Sequence, residues 1–348
     1  MRQFILYIVV LFSVLFLLYV YRDDNSSKGD QNTIKVYASG SFISDWGPGP
    51  QIKKNFELQY GIKINFIEMS DPGITLQKIG FASDEIAGDV ILGLDQFDIV
   101  RFADKAKWKN ISDIKLNHQN SILNFGQINQ IEQIKNFIPY DWSAISFVRR
   151  SDNKVKINRL KDLLALDLKS KIALEDPRTS SPGLQFLLWV ACSFSEPEAI
   201  QFLKDMNNQA HSYSPNWSTA YGLFKNKNAD LVLSYVTSPM YHLIEEHDEG
   251  YQALSFEEGL PVQIEFAGVL SQCKDCEAAY KFISFIQTKE IQKIIMAKNY
   301  MLPVDKSAAE GTAFDTINRY KLIDFKVHSK EEINKWIRIW TDLKKNEN

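Results

Sequence analysis

Residues 229–242, ADLVLSYVTSPMYH, constrain this chain more than any other stretch. Leu231-Val232-Leu233 is a short apolar run of β type, and it stops abruptly in Ser234-Tyr235-Val236-Thr237-Ser238-Pro239. Proline suits the first turn of a helix, so the pattern predicts a strand, a hydroxyl-rich turn and a helix start. Open α/β sheets bind ligands just outside the carboxyl ends of their strands, which is where such a turn lies. Trp217, Tyr235 and Tyr241 flank it. Aromatic faces interleaved with hydroxyls suit a flat, partly cationic ligand. Taken singly, the same rings also suit ordinary core packing.

The same grammar recurs along the chain. Residues 34–38 read as a first strand ending in Ser39-Gly40-Ser41-Phe42. The rigid Asp45-Trp46-Gly47-Pro48-Gly49-Pro50 follows, then a helix over 51–59; Asp45 and Trp46 either face a cleft or hold this turn. Residues 63–68 alternate as a second strand, ending in Ser70-Asp71-Pro72-Gly73 ahead of a helix over 74–82. Residues 89–94 form a third strand, ending at Asp95, with a helix over 97–105. Residues 111–137 are rich in Asn and Gln and read as irregular surface. A strand near 144–148 and a helix over 157–166 lead to a strand over 171–174, which ends in the polar run 175–183. Helices are expected over 184–192 and 197–206. Residues 262–270 form a strand returning to the first lobe, followed by helices over 275–286 and 289–297. The last helix, 330–343, carries Ile333, Trp336, Ile337 and Trp340 on one stripe.

Strand–helix alternation implies α/β units with parallel sheets. Two crossings imply two lobes and a cleft: residues 33–139 and 262–305 in the first, 140–261 and 306–348 in the second. Five polar clusters, each just after a strand, point to that shared cleft. Within them Asp71 is either a turn aspartate or an acceptor for an amino group on a heterocycle. Ser180 and Ser181, ahead of Pro182-Gly183, are either a helix cap or a cap that also takes a phosphate or carboxylate.

Composition excludes some functions. A chain of 348 residues with 45% apolar residues supports about two domains, and a net charge of −3 gives no reason to expect a nucleic-acid partner. The five histidines form no metal-ligand pair, and neither a phosphate-binding Gly-rich loop nor G-x-S-x-G occurs, so no metal, cofactor or catalytic set is expected. Cys273-Lys274-Asp275-Cys276 lacks the second ligand pair that zinc needs, and reads as a local disulfide or two incidental thiols. Cys192, in an apolar helix, reads as packing. Residues 4–21 are apolar or aromatic apart from Ser13, and at about 1.5 Å rise per residue they are just long enough to span a hydrocarbon core. Small residues at a cleavage site are missing, so an uncleaved N-terminal anchor helix is favoured over a cleaved signal, with 23–31 as a tether.

Residues 41–50 (SFISDWGPGP), 89–95 (DVILGLD), 175–184 (EDPRTSSPGL), 217–224 (WSTAYGLF) and 229–242 together resemble the thiamine-binding periplasmic proteins of bacterial ABC importers. The resemblance covers nearly everything from residue 35 to about residue 302. It implies a two-lobed α/β fold of the type II periplasmic binding protein class, with the ligand cleft between lobes. It implies capture of thiamine or a thiamine phosphate in the periplasm, by an expected monomer, and delivery to an ABC permease in the inner membrane; the anchor expected over 4–21 stands in place of the family's usual cleaved signal. Asp71 and Gly73 match the family's turn near the aminopyrimidine, with Pro72 inserted. Ser180 and Ser181 match a Ser-Thr pair at a helix start. Trp217, Tyr235, Val236, Thr237, Ser238 and Tyr241 match its aromatic and hydroxyl wall. Ser39-Gly40 departs from the family's usual Tyr-Asp, and Val236 replaces a hydroxyl. The alternatives are a binding protein for another small heterocycle and a thiaminase-like transferase. The latter needs a cysteine at a cleft strand end, where this chain has none. Iron-binding relatives use an adjacent Tyr pair, also missing here.

Overall fold

The computed structural model describes residues 32–69, 72–81, 88–111, 114, 131–323 and 328–345. The expected anchor and tether, and Ser70 and Asp71, lie outside the described residues. Among the described residues no helix is long and apolar enough to cross a membrane.

Strand β4 (Phe137–Arg150) joins the two halves of the sheet. Its first part pairs antiparallel with β9 (Val262–Val269), and its second part with β7 (Leu231–Tyr235) and β8 (Tyr251–Ala253). Beyond β9 lie β3 (Val90–Asp95), β1 (Thr33–Ala38) and β2 (Lys63–Glu68). Beyond β7 lie β5 (Ile172–Glu175) and β6 (Ser212–Ser214), and the two-residue β10 (Leu302–Pro303) pairs with β4. The order is therefore β2-β1-β3-β9-β4-β7-β5-β6. β2, β1 and β3 pair in parallel, as do β7, β5 and β6. Each parallel triplet with its helices is one α/β lobe, and the antiparallel β4 and β9 run between them.

Two expectations need correction here. The strand expected near 144–148 begins at Phe137, because 137–148 are buried throughout and so lack the alternation that marks a half-exposed strand. The helix expected over 157–166 is two 3₁₀ segments, Leu160–Leu164 and Leu166–Leu168, separated by an extended Ala165. β6 and β8, three residues each, are too short to leave a periodic signal.

The helices are α1 (Gly40–Ile43), α2 (Gly49–Tyr60), α3 (Pro72–Phe81), α4 (Gln96–Phe102), α5 (Ser181–Ser193), α6 (Glu196–Gln209), α7 (Trp217–Lys225), α8 (Pro239–Glu245), α9 (Cys276–Ile286), α10 (Lys289–Asn299) and α11 (Lys330–Lys345). Several polar residues that close strands serve as caps for the helix that follows. Ser39 Oγ accepts from Phe42 N, Asp95 accepts from Phe97 N and Asp98 N at 2.7 Å each, and Ser180 Oγ accepts from Gly183 N. On α11 the expected stripe is the buried face: Ile333, Trp336 and Trp340 pack into the main core.

Cysteine pairing is settled in favour of a Cys273–Cys276 disulfide. Cys192 does not pack inward, as its apolar helix implied; it is exposed near the end of α5.

Candidate ligand cleft

A cavity of about 550 Å³ opens between the two lobes. From the second lobe it takes Trp217, Tyr221 and Lys225 of α7, Tyr235 at the end of β7, and Ser238, Tyr241 and Glu245 around α8. From the other side come Ser41, Trp46, Glu265 of β9 and 298–301 after α10. Its size falls in the usual range for small-molecule sites, about 300–1,000 Å³.

The aromatic wall is built from α7 outward. Asn216 caps this helix by accepting from Thr219 N at 2.9 Å, which sets Trp217 at the first helical position. The Trp217 indole N–H donates to Ser234 Oγ at 2.8 Å, and its ring stacks on Tyr221 at 4.9 Å between centroids. Behind the wall, Tyr221 Oη lies 2.9 Å from His242 Nε2, and His242 Nδ1 lies 2.5 Å from Glu246 Oε2. His242 is fully buried and stacks on Tyr251, so it is a structural prop and no ligand for a metal. Burial holds its pKa below the ordinary histidine value, only partly offset by Glu246. Tyr241 packs edge-on against Tyr300, and Lys225 reaches Tyr241 Oη at 3.1 Å and Glu246 at 2.9 Å.

The floor is acidic. In the strand register Asp95 stands opposite Glu265, and Glu265 stands opposite Asp141, so three carboxyl groups form one row across β3, β9 and β4. The register slips by one residue beside that row in both pairings of β9, between Leu92 and Leu94 on β3 and between Pro139 and Asp141 on β4. Such bulges re-aim side chains. Gly93 sits in the first at φ +90°, a conformation that suits glycine. Glu265 accepts from Tyr140 Oη at 2.6 Å, and Asp141 accepts from Asn299 Nδ2 at 2.8 Å. Burial, then the neighbouring Glu265 charge, pushes the Asp141 carboxyl well above the usual range; burial also raises Glu265 and Asp95. Asp141 Oδ1 is buried without a donor from the described residues, which fits a proton held between Asp141 and Glu265. Burial, and then the charges of Glu265, Glu175, Asp141 and Asp95, raise the Tyr235 phenol well above the ordinary value.

The expected site residues separate. Trp217, Tyr235, Ser238 and Tyr241 line the cavity together. Val236 and Thr237 are buried beneath them, and Thr237 Oγ1 lies 3.0 Å from Ser143 Oγ. Ser180 is buried at the α5 cap with its hydroxyl donating to Glu175 at 2.9 Å, and Ser181 opens that helix; neither lines the cavity. Gly73, in the first turn of α3, lies against the Phe102 ring, and Asp71 lies outside the described residues. Sequence reading missed Tyr221, Lys225, Glu265, Asn299 and Tyr300. Tyr221 and Lys225 had a signal, since they sit one and two turns after Trp217 on α7. Among the described residues no group of three His, Cys, Asp or Glu side chains could hold a metal ion.

Residues 34–300 match the family described as bacterial extracellular solute-binding protein. The thiamine-binding periplasmic protein of Brucella suis is 32% identical over 289 residues, covering 82% of this chain and 84% of that one. Its namesake from Escherichia coli is 34% identical over 273 residues, covering 78% and 80%. A solved structure described as a periplasmic thiamin binding protein superposes with a TM-score of 0.77 at 29% identity, covering 89% of this chain and 96% of that one.

Proposed function

Because this chain belongs to the bacterial extracellular solute-binding protein family, we propose that it captures thiamine or a thiamine phosphate outside the cytoplasm and hands it to an ABC permease. The observation that carries this reading is the pairing of an aromatic wall with Glu265 in one cavity, over the buried Asp95 and Asp141 that flank it in the strand register. Thiamine offers a cationic thiazolium and a flat aminopyrimidine. The cation lies against Trp217 and Tyr241, a contact worth about 1–2 kcal/mol when desolvated. Glu265 faces its charge from the floor, and Tyr235 and Ser238 fix the polar edge of the pyrimidine. Residues 33–139 with 262–305 close on 140–261 with 306–348 about the shared strands. Ser180 and Ser181 are the proposed seat for a phosphate, with Asp71 and Gly73 completing the pyrimidine side.

The protein acts as a binding component and does no chemistry on its ligand; the two cysteines joined in a disulfide hold no thiolate, and Cys192 is not among the residues lining the cleft. Residues 4–21 tether it to the inner membrane. The test is calorimetry against thiamine, its mono- and diphosphate, and the free pyrimidine. Tight binding of a thiamine form supports the reading, and the preferred form tests Ser180 and Ser181. Failure of all four ligands overturns it.

A further inference from the structure

A second cavity, of about 410 Å³, lies away from the cleft, lined among others by Phe97, Gln185, Trp189, Cys192, Val262 and His328. Cys192 Sγ is 3.4 Å from His328 Nε2, and His328 Nδ1 is 3.2 Å from Glu332 Oε2, one helical turn further along the chain. His328 is almost fully buried and packs edge-on against Phe97. Cys192 itself is exposed. We propose that Cys192 is a modification site: an imidazole-activated thiol that forms a mixed disulfide with a small organic disulfide, whose apolar part seats in this cavity.

Three separate observations support this. The order thiol, imidazole, carboxylate is the arrangement that draws a proton from sulfur, because the carboxylate stabilises the imidazolium that forms. The thiol is open to solvent while its proton acceptor is buried, so the nucleophile is reachable and its partner is held in place. Phe97, Leu188, Trp189 and Val262 give the cavity apolar wall, with Glu258 the one carboxylate among its lining residues, which favours an organic substituent over a bare oxidant. The Cys273–Cys276 disulfide and the family's extracytoplasmic setting fit a compartment where small disulfides persist.

The step balances without a further reagent. The Cys192 proton passes to His328 Nε2. The thiolate attacks one sulfur of R–S–S–R, the Cys192 S–S bond forms, and the other sulfur leaves with the electron pair as a thiolate. The disulfide is exchanged, with no net oxidation. Glu332 acts as a positioning residue through His328.

The test follows reaction of the intact protein with the aryl disulfide dithiobis(nitrobenzoate), reading the released aryl thiolate from about pH 5 to about pH 9, across the range where thiols titrate. At about pH 6 the native protein should react about tenfold faster than the same chain denatured without reductant, the gain in thiolate being partly offset by its lower nucleophilicity. Intact mass should show one adduct per chain, lost in Cys192→Ser. His328→Gln should abolish the advantage at about pH 6 while keeping the reaction at high pH, and Glu332→Gln should shift the pH profile upward. A native rate at or below that of the denatured chain at about pH 6, or an unchanged profile in a folded His328→Gln variant, overturns the proposal. Should that variant not fold, the wild-type pH profile alone decides.

Discussion

Asp141 and Glu265 face each other across β4 and β9, two antiparallel strands whose paired residues are more than a hundred positions apart in the chain. Both carboxyl groups are raised: Asp141 well above the usual range by burial and then by the Glu265 charge, and Glu265 by burial and the Asp95 charge against a lowering hydrogen bond to Asp141. A cation entering the cleft favours the ionised pair, so ligand binding lowers these values and releases a proton. Calorimetry in buffers of different ionisation enthalpy should detect that release, and affinity should rise with pH through the titration of the pair. Glu265→Gln should abolish the proton release and weaken binding. Equal heats in all buffers would remove the pair from the ligand's surroundings.

Glu175 gives a stability prediction of definite sign. Burial lifts its carboxyl to about 8, against a hydrogen bond from Ser180 that pulls the other way. The folded state therefore keeps a proton that the unfolded chain loses above the ordinary glutamate range. Its contribution is fully present at low pH and is lost as pH rises towards about 8. Glu175→Gln should flatten that slope and stabilise the protein at about pH 8 relative to wild type, on the order of a few kcal/mol. Urea midpoints at about pH 5 and about pH 8 check it; an unchanged difference between them would refute the assignment.

Trp217→Ala should weaken thiamine binding about tenfold to a hundredfold, through loss of a cation–π face at the centre of the site. Removing the ring also leaves Ser234 Oγ without the indole donor and exposes the Tyr221 face it stacks on. Titration of the variant decides: wild-type affinity would place the cation elsewhere.

Gly47→Ala should destabilise the protein by about 1–3 kcal/mol. A Cβ at this position would lie 2.2 Å from Ser41 O and 2.6 Å from Phe42 O, both backbone atoms that cannot swing aside. Trp46 precedes it and lines the cleft, so the shift should also weaken ligand binding. A thermal melt and a titration on the same sample separate the two effects.

Reducing the Cys273–Cys276 disulfide, which spans only three positions, should cost about 1–2 kcal/mol, because so short a loop loses little entropy on closure. Ligand affinity should not change, since neither cysteine lines the cleft. A drop in affinity on reduction would mean that this turn is coupled to the site.

Strand ends were legible because hydrophobic periodicity is a local property. The runs at 63–68 and 231–233, with their polar followers, stand out from neighbouring residues alone, and the second continues as strand through Tyr235. The amphipathic stripe of α11 was legible for the same reason. What could not be read was which polar followers face the ligand and which are consumed as caps. Asp95 and Ser180 hold helix starts, whereas Ser238 and Tyr241 line the cavity, and nothing in their immediate sequence distinguishes the two uses.

Residues alone thus determined a two-lobed α/β chain with polar turns at its strand ends, since backbone preference and side-chain alternation are set within a few positions. Tertiary structure alone decided the acidic floor. Glu265 and Asp141 become neighbours only when β9 returns beside β4, and their charge state follows from desolvation, which no isolated segment of the chain experiences.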